Sequence, residues 1–133
     1  MYVLDTNTVA SFFKGFGRIA ERLLGTPPGD VALPAVVAYE LWVGVEKSVE
    51  ATRRRVQLER FLGVVQVLPF GPREARAAAG LRAALEEAGT PIGPLDTLIA
   101  GTAVAHRGIL VTGNVREFSR VPTLLVENWY RDD

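Results

Sequence analysis

Three observations predict an α/β fold with a mainly parallel sheet. Short apolar segments alternate along the whole chain with longer segments of helical period. Each short segment is apolar at successive positions, the pattern of a strand covered on both faces rather than one with a wet side. The 133 residues match one compact domain with a single core, enough for one sheet and its covering helices.

Residues 2–5 (Tyr-Val-Leu-Asp) are predicted to be a short buried strand ending in a carboxylate, and Thr6-Asn7 are helix-capping types, so a helix follows over about 8–14. Gly15 and Gly17 interrupt it. Helical spacing resumes from Arg18 to Leu24, with Ile19 and Leu23 in phase, and Gly25-Thr-Pro-Pro-Gly-Asp30 is a turn. Residues 31–33 are a second strand. Pro34 suits the first turn of a helix over 35–47, where Val36, Val37, Leu41, Trp42 and Val45 keep a helical period. A more polar helix covers 49–62 and leads into a third strand at 64–68. Pro69-Phe-Gly-Pro72 opens an alanine-rich helix to about Ala88, and the loop Gly89-Thr-Pro-Ile-Gly-Pro94 precedes an apolar helix from Leu95 to His106 that Gly108 stops. A fourth strand at 109–112, a turn or short helix over 113–119 and a fifth strand at 123–126 complete the chain.

Composition removes several classes of function. Fifteen Lys and Arg balance fifteen Asp and Glu, so a polyanion partner has to be held by a local patch rather than by overall charge. With no cysteine there is no disulfide, zinc–thiolate site, iron–sulfur cluster or thiol nucleophile, and a single histidine excludes His-rich metal sites. Met1-Tyr-Val-Leu-Asp5 lacks the basic and long apolar parts of a signal peptide, and no run approaches the ~18 apolar residues of a membrane span. A cytoplasmic location without membrane contact is the expectation.

The chain has only five aspartates. Asp132 and Asp133 form the terminal tail and Asp30 sits in a turn, which leaves Asp5 and Asp96 in apolar surroundings. Glu40 joins them, inside Val-Val-Ala-Tyr-Glu-Leu-Trp-Val. By i±3 and i±4 spacing Glu40 shares a stripe with Val36, Val37, Val43 and Gly44, and Asp96 shares one with Ile99, Ala100 and Ala103, so both side chains are predicted to face inward. Helix capping accounts for Asp5 or Asp96 taken singly, and an arginine from elsewhere for Glu40. For all three together, in a chain with one histidine and only Lys14 and Lys47 as lysines, the residue chemistry favours a hard divalent ion such as Mg²⁺ or Mn²⁺. Such ions suggest phosphate chemistry.

In an open parallel sheet the ligand crevice forms where strand order reverses, and a polar residue at the end of an apolar strand marks it. Asp5 and Thr112 end strands in this way. After Thr112, Asn114 can supply a neutral oxygen and Glu117 a further carboxylate. Other signals fail. Gly15-Phe-Gly-Arg-Ile-Ala20 has dinucleotide-fingerprint spacing, but helical residues precede it instead of a strand, so it is a helix break. No Walker loop and no GxSxG elbow occurs, and His106 reads as a last-turn residue favoured by the helix dipole. Thirteen of the fifteen basic residues are arginine, which suits phosphate recognition, although the run Arg53-Arg54-Arg55 by itself reads as a solvated helix face.

Leu4-Asp5-Thr6-Asn7, Tyr39-Glu40-Leu41 with Gly44 behind it, Asp96-Thr-Leu-Ile-Ala100 and Thr112-Gly-Asn114-Val-Arg-Glu-Phe118 together resemble, in order and spacing, the four motifs of PIN-domain ribonucleases. Chain length and spacing are similar to the VapC toxins of VapBC toxin–antitoxin pairs. The resemblance spans the whole chain as a single PIN domain.

It implies a three-layer PIN-like sandwich with sheet order 3-2-1-4-5 and helices on both faces. It also implies a metal-dependent endoribonuclease, acting on structured RNA such as tRNA or rRNA to leave a 5′-phosphate and a 3′-hydroxyl. Carried over, Asp5, Glu40 and Asp96 are the catalytic and metal-site carboxylates for Mg²⁺ or Mn²⁺, and Thr6, Asn7, Thr112, Asn114 and Glu117 support them. Many relatives have aspartate where this chain has Asn114, and Glu117 is positioned to compensate. The resemblance further implies a homodimer and a VapB-like antitoxin, whose C-terminal segment lies in an apolar groove near the first helices and pushes a basic side chain toward the carboxylates.

Overall fold

A computed structural model describes residues 1–130. The acidic tail residues Asp132 and Asp133 lie outside the described residues.

Five short strands form one parallel sheet of order β3-β2-β1-β4-β5. In chain order they are β1 (Tyr2–Leu4), β2 (Val31–Pro34), β3 (Gln66–Leu68), β4 (Ile109–Val111) and β5 (Leu125–Glu127). Two helices, α1 (Thr6–Phe13) and α2 (Gly17–Leu24), connect β1 to β2, and α3 (Ala35–Glu46) and α4 (Ala51–Leu62) connect β2 to β3. Next, α5 (Pro72–Glu87) and α6 (Pro94–Ala105) carry the chain back across the sheet to β4, and the short α7 (Val115–Phe118) precedes β5. Connections before and after β3 thus run in opposite directions, and right-handed crossovers place them on opposite faces. The predicted sandwich and strand order are both present.

Local chemistry accounts for the breaks. Gly15 adopts φ +76°, which ends α1 and re-aims the chain into α2, as expected for a helix break rather than a nucleotide loop. Pro34 ends β2 and stands as the N-cap of α3, one position before the first turn where the sequence placed it. The fifth strand starts two residues later than predicted, because backbone hydrogen bonds from Val121 to Phe118 and from Leu124 to Val121 make a turn of the residues before it.

The core lies along the central strands. Val3, Leu4, Ala32, Leu33, Leu110 and Val111 are fully buried, while β3 and β5, at the edges, are partly exposed. Helices α5 and α6 approach so closely that a Cβ on Gly101 would fall 2.6 Å from the Ala78 Cβ. His106, at the C-cap of α6, does more than face the helix dipole: its Nε2 lies 2.7 Å from a carboxylate oxygen of buried Glu74, whose other oxygen accepts from the Gly71 N–H.

The register sets up the crevice. Leu4 stands opposite Val111, so the next residues, Asp5 and Thr112, leave the sheet side by side at the reversal between β1 and β4.

Candidate active site

Asp5 is buried at 6% exposure, and it is held as well as buried. Its N–H donates to the Val111 carbonyl at 3.2 Å, and its carboxylate accepts from the Thr8 N–H at 2.9 Å as the N-cap of α1. Thr8, fully buried, donates its hydroxyl to the same Val111 carbonyl at 3.1 Å, tying α1 to the end of β4. Capping and site placement are therefore one arrangement for Asp5, not alternatives.

Glu40 reaches the crevice from α3 and accepts a 2.6 Å hydrogen bond from the Thr6 hydroxyl. Asp96 stands in the first turn of α6. Both are half-buried rather than turned into the core as their helical stripes predicted.

The turn after β4 completes the set. Thr112 is fully buried, and its hydroxyl accepts from the Asn114 N–H at 2.9 Å. The Asn114 amide donates to Glu117 at 2.7 Å, and the other Glu117 oxygen accepts from the Gly93 N–H, just before α6, at 3.0 Å. Glu117 therefore bridges the fourth motif to the segment that presents Asp96. Asn7, in contrast, is exposed and makes no hydrogen bond to these groups.

Charges converge here. Burial, then the hydrogen bond and charge of Glu117, then the charges of Glu40 and Asp5 push the Asp96 carboxyl up to about 6. Glu117 moves below its usual range, chiefly because the Gly93 N–H donates to it, with Asn114, Asp96 and Arg120 adding to the effect. The two carboxyls are thus pushed in opposite directions, Asp96 up and Glu117 down.

Among the described residues, none of Asp5, Glu40 and Asp96 forms an ion pair with a lysine, arginine or histidine. No three acidic or histidine side chains among the described residues are disposed to hold a metal ion as they stand; Glu40 is bonded to Thr6, and Glu117 to Gly93 and Asn114. The donor set is all oxygen and its like charges are in conflict, which is the chemistry that a hard divalent ion relieves. Asp5 and Asp96, with Glu40 and Glu117 beside them, are the residues that could hold one.

Three groups escaped the sequence reading. Thr8 carried a signal, a threonine three residues after a capping aspartate. Gly93 acts only through its backbone. Tyr130 bonds Ser11 across 119 residues at 3.0 Å and packs its ring where a Cβ on Gly113 would meet it at 2.8 Å, bracing the fourth motif against α1. Nothing local announces that contact.

The PIN domain family profile matches residues 2–124. Over 128 residues the chain is 32% identical to a tRNA(fMet)-specific endonuclease VapC of Salmonella typhimurium, with 96% of this chain and 97% of that protein covered. It is also 32% identical over 137 residues to ribonuclease VapC2 of Rickettsia felis, covering 97% and 98%. Among solved structures, VapBC2 of Rickettsia felis bound to a promoter DNA fragment superposes with a TM-score of 0.90 at 33% identity, covering 96% of this chain and 98% of that one.

Proposed function

The chain belongs to the PIN-domain family, and within it to the VapC proteins, and from that premise we propose that it is a metal-dependent endoribonuclease toxin restrained by a cognate antitoxin. One observation carries the reading: Asp5, Glu40, Asp96 and Glu117 converge at the ends of adjacent parallel strands, and the first three lack a cationic partner among the described residues.

Asp5 and Asp96 would hold Mg²⁺ or Mn²⁺, with Glu40 and Glu117 in support. A bound ion of this kind acidifies water and stabilises charge on phosphate oxygens. Glu40, held by the Thr6 hydroxyl, would take a proton from the attacking water. Thr112 and Asn114 set the turn that aims Glu117, so the amide at 114 serves the site by holding a neighbouring carboxylate. The products expected are a 5′-phosphate and a 3′-hydroxyl, and the name of the Salmonella relative favours tRNA as the substrate.

The antitoxin reading has a matching surface. A groove of about 970 Å³ runs beside α1, α2 and α4, walled by Phe12, Phe13, Leu23, Val56 and Phe61, and suits an apolar segment of a partner. A homodimer completes the proposed assembly. No helix among the described residues is long and apolar enough to cross a membrane.

The test is cleavage of bulk tRNA and total RNA by purified protein, freed of any co-purified partner, with Mg²⁺ or Mn²⁺, with EDTA, and with Asp5→Asn. Asparagine preserves the helix cap while removing the charge, so the variant is expected to fold and not to cut. Cleavage that persists in EDTA or in the variant would overturn the assignment.

A further inference from the structure

A small cleft of about 180 Å³ opens directly beside the carboxylates, with Thr6 and Glu40 on its wall. Three helices build it: α1 ends in Lys14 at its C-cap, α3 brings Gly44 four residues after Glu40, and α4 brings Arg54 and Gln57 three apart. The arginine run 53–55 is thereby divided. Arg53 is paired to Glu50, the N-cap of α4, at 2.6 Å and Arg55 to Glu59 at 3.8 Å, both along α4. Arg54 exerts only a minor charge effect on Glu50 and has no ion pair among the described residues. Lys14 has none there either, although both share the cleft with Glu40.

Two such cations and an amide at the mouth of an acidic catalytic crevice have a definite use. The carboxylates repel a polyanion, so a strand that enters the crevice needs positive charge at its flank. We propose that Lys14 and Arg54, with Gln57, form a phosphate subsite that receives the RNA backbone next to the scissile phosphate. The subsite rests on the ribonuclease reading and adds to it the side of the crevice along which the strand runs. Arg54 supplies a fork for phosphate oxygens and Lys14 a mobile point charge.

Gly44 fits the same role. It lies inside a helix, where glycine is unfavourable, and a Cβ there would meet nothing within 4 Å. No close packing demands it, and its missing side chain keeps the cleft open.

The test measures binding of a labelled single-stranded RNA and of bulk tRNA in an Asp5→Asn background, across a salt series. Lys14→Ala and Arg54→Ala are expected to weaken binding to all RNA sequences alike and to lower the log–log salt slope by about 0.7 for each phosphate no longer neutralised. Arg53→Ala and Arg55→Ala remove the same charge from the same helix and are expected to leave both quantities at the parent value. In the active protein, losing Lys14 or Arg54 should raise KM with little change in kcat. Gly44→Leu should weaken RNA binding with no change in net charge, folding or Mn²⁺ affinity. If all four charge variants behave alike while the parent binds RNA, the subsite is wrong and the ribonuclease reading stands. It is equally wrong if Lys14→Ala and Arg54→Ala alter only inhibition by a protein partner. An Asp5→Asn parent that does not bind RNA, together with a wild type that does not cut it, sinks both.

Discussion

Asp96 carries the strongest electrostatic conflict among the described residues, and its consequences can be worked out by sign. Its folded pKa of about 6 lies above the ordinary 3.8, so between these values the folded form keeps a proton that the unfolded chain has released. The stability contributed by that proton is full below about pH 4 and is lost as pH rises through 6. Asp96→Asn removes the conflict, and the expected result is a higher melting temperature than wild type at pH 7–8, the gap closing as pH falls toward 4, together with loss of cleavage. A melting temperature unaffected at pH 8 would show that neither burial nor the neighbouring carboxylates penalise the Asp96 charge. Divalent cations must displace the same proton, so Mn²⁺ affinity measured by titration should fall as pH drops through about 6. An affinity flat from pH 5 to pH 8 would count against Asp96 as a ligand.

At the scale of elements, the pairing of α5 with α6 holds the site's third motif in place. The close approach at Gly101 leaves no room for a side chain, because backbone atoms of Ala78 on α5 lie only 2.7–2.8 Å from the position a Cβ would take. Gly101→Ala would normally favour a helix, yet here the overpacking of about 1–3 kcal/mol should dominate and lower the melting temperature. A neutral or stabilising result would mean that the two helices can separate at little cost. Glu74 adds a second tie between the same helices through His106, and the backbone N–H of Gly71 holds its carboxyl below the usual range. That contribution has the opposite sign from Asp96: it is present above the ordinary carboxylate pKa and fades as pH falls through the lower folded value.

For the whole molecule, a cation held in the crevice would be linked to folding. A divalent ion that binds only the folded form stabilises it by about 2.7 kcal/mol at a hundred times its dissociation constant. Mg²⁺ or Mn²⁺ should therefore raise the melting temperature of the wild type and much less that of Asp5→Asn, and an equal rise in both would place the ion elsewhere. Most of the architecture was legible in the sequence. The periodicities of 35–47 and 95–106, the short doubly apolar strands and the Gly and Pro punctuation determine element type, because these depend on local sterics and on which faces must leave water. The carboxylates at 5, 40 and 96 were legible for a related reason, since an acid set among apolar residues needs a partner. What the sequence could not contain was the way those acids interact. That Glu117 is aimed by Asn114 and Gly93, that burial and neighbouring carboxylates raise the Asp96 pKa, and that Arg54 alone of its run lines the cleft beside Glu40 all depend on distances between segments dozens of residues apart. Such distances are decided only when helices pack on the sheet, and no local rule encodes them.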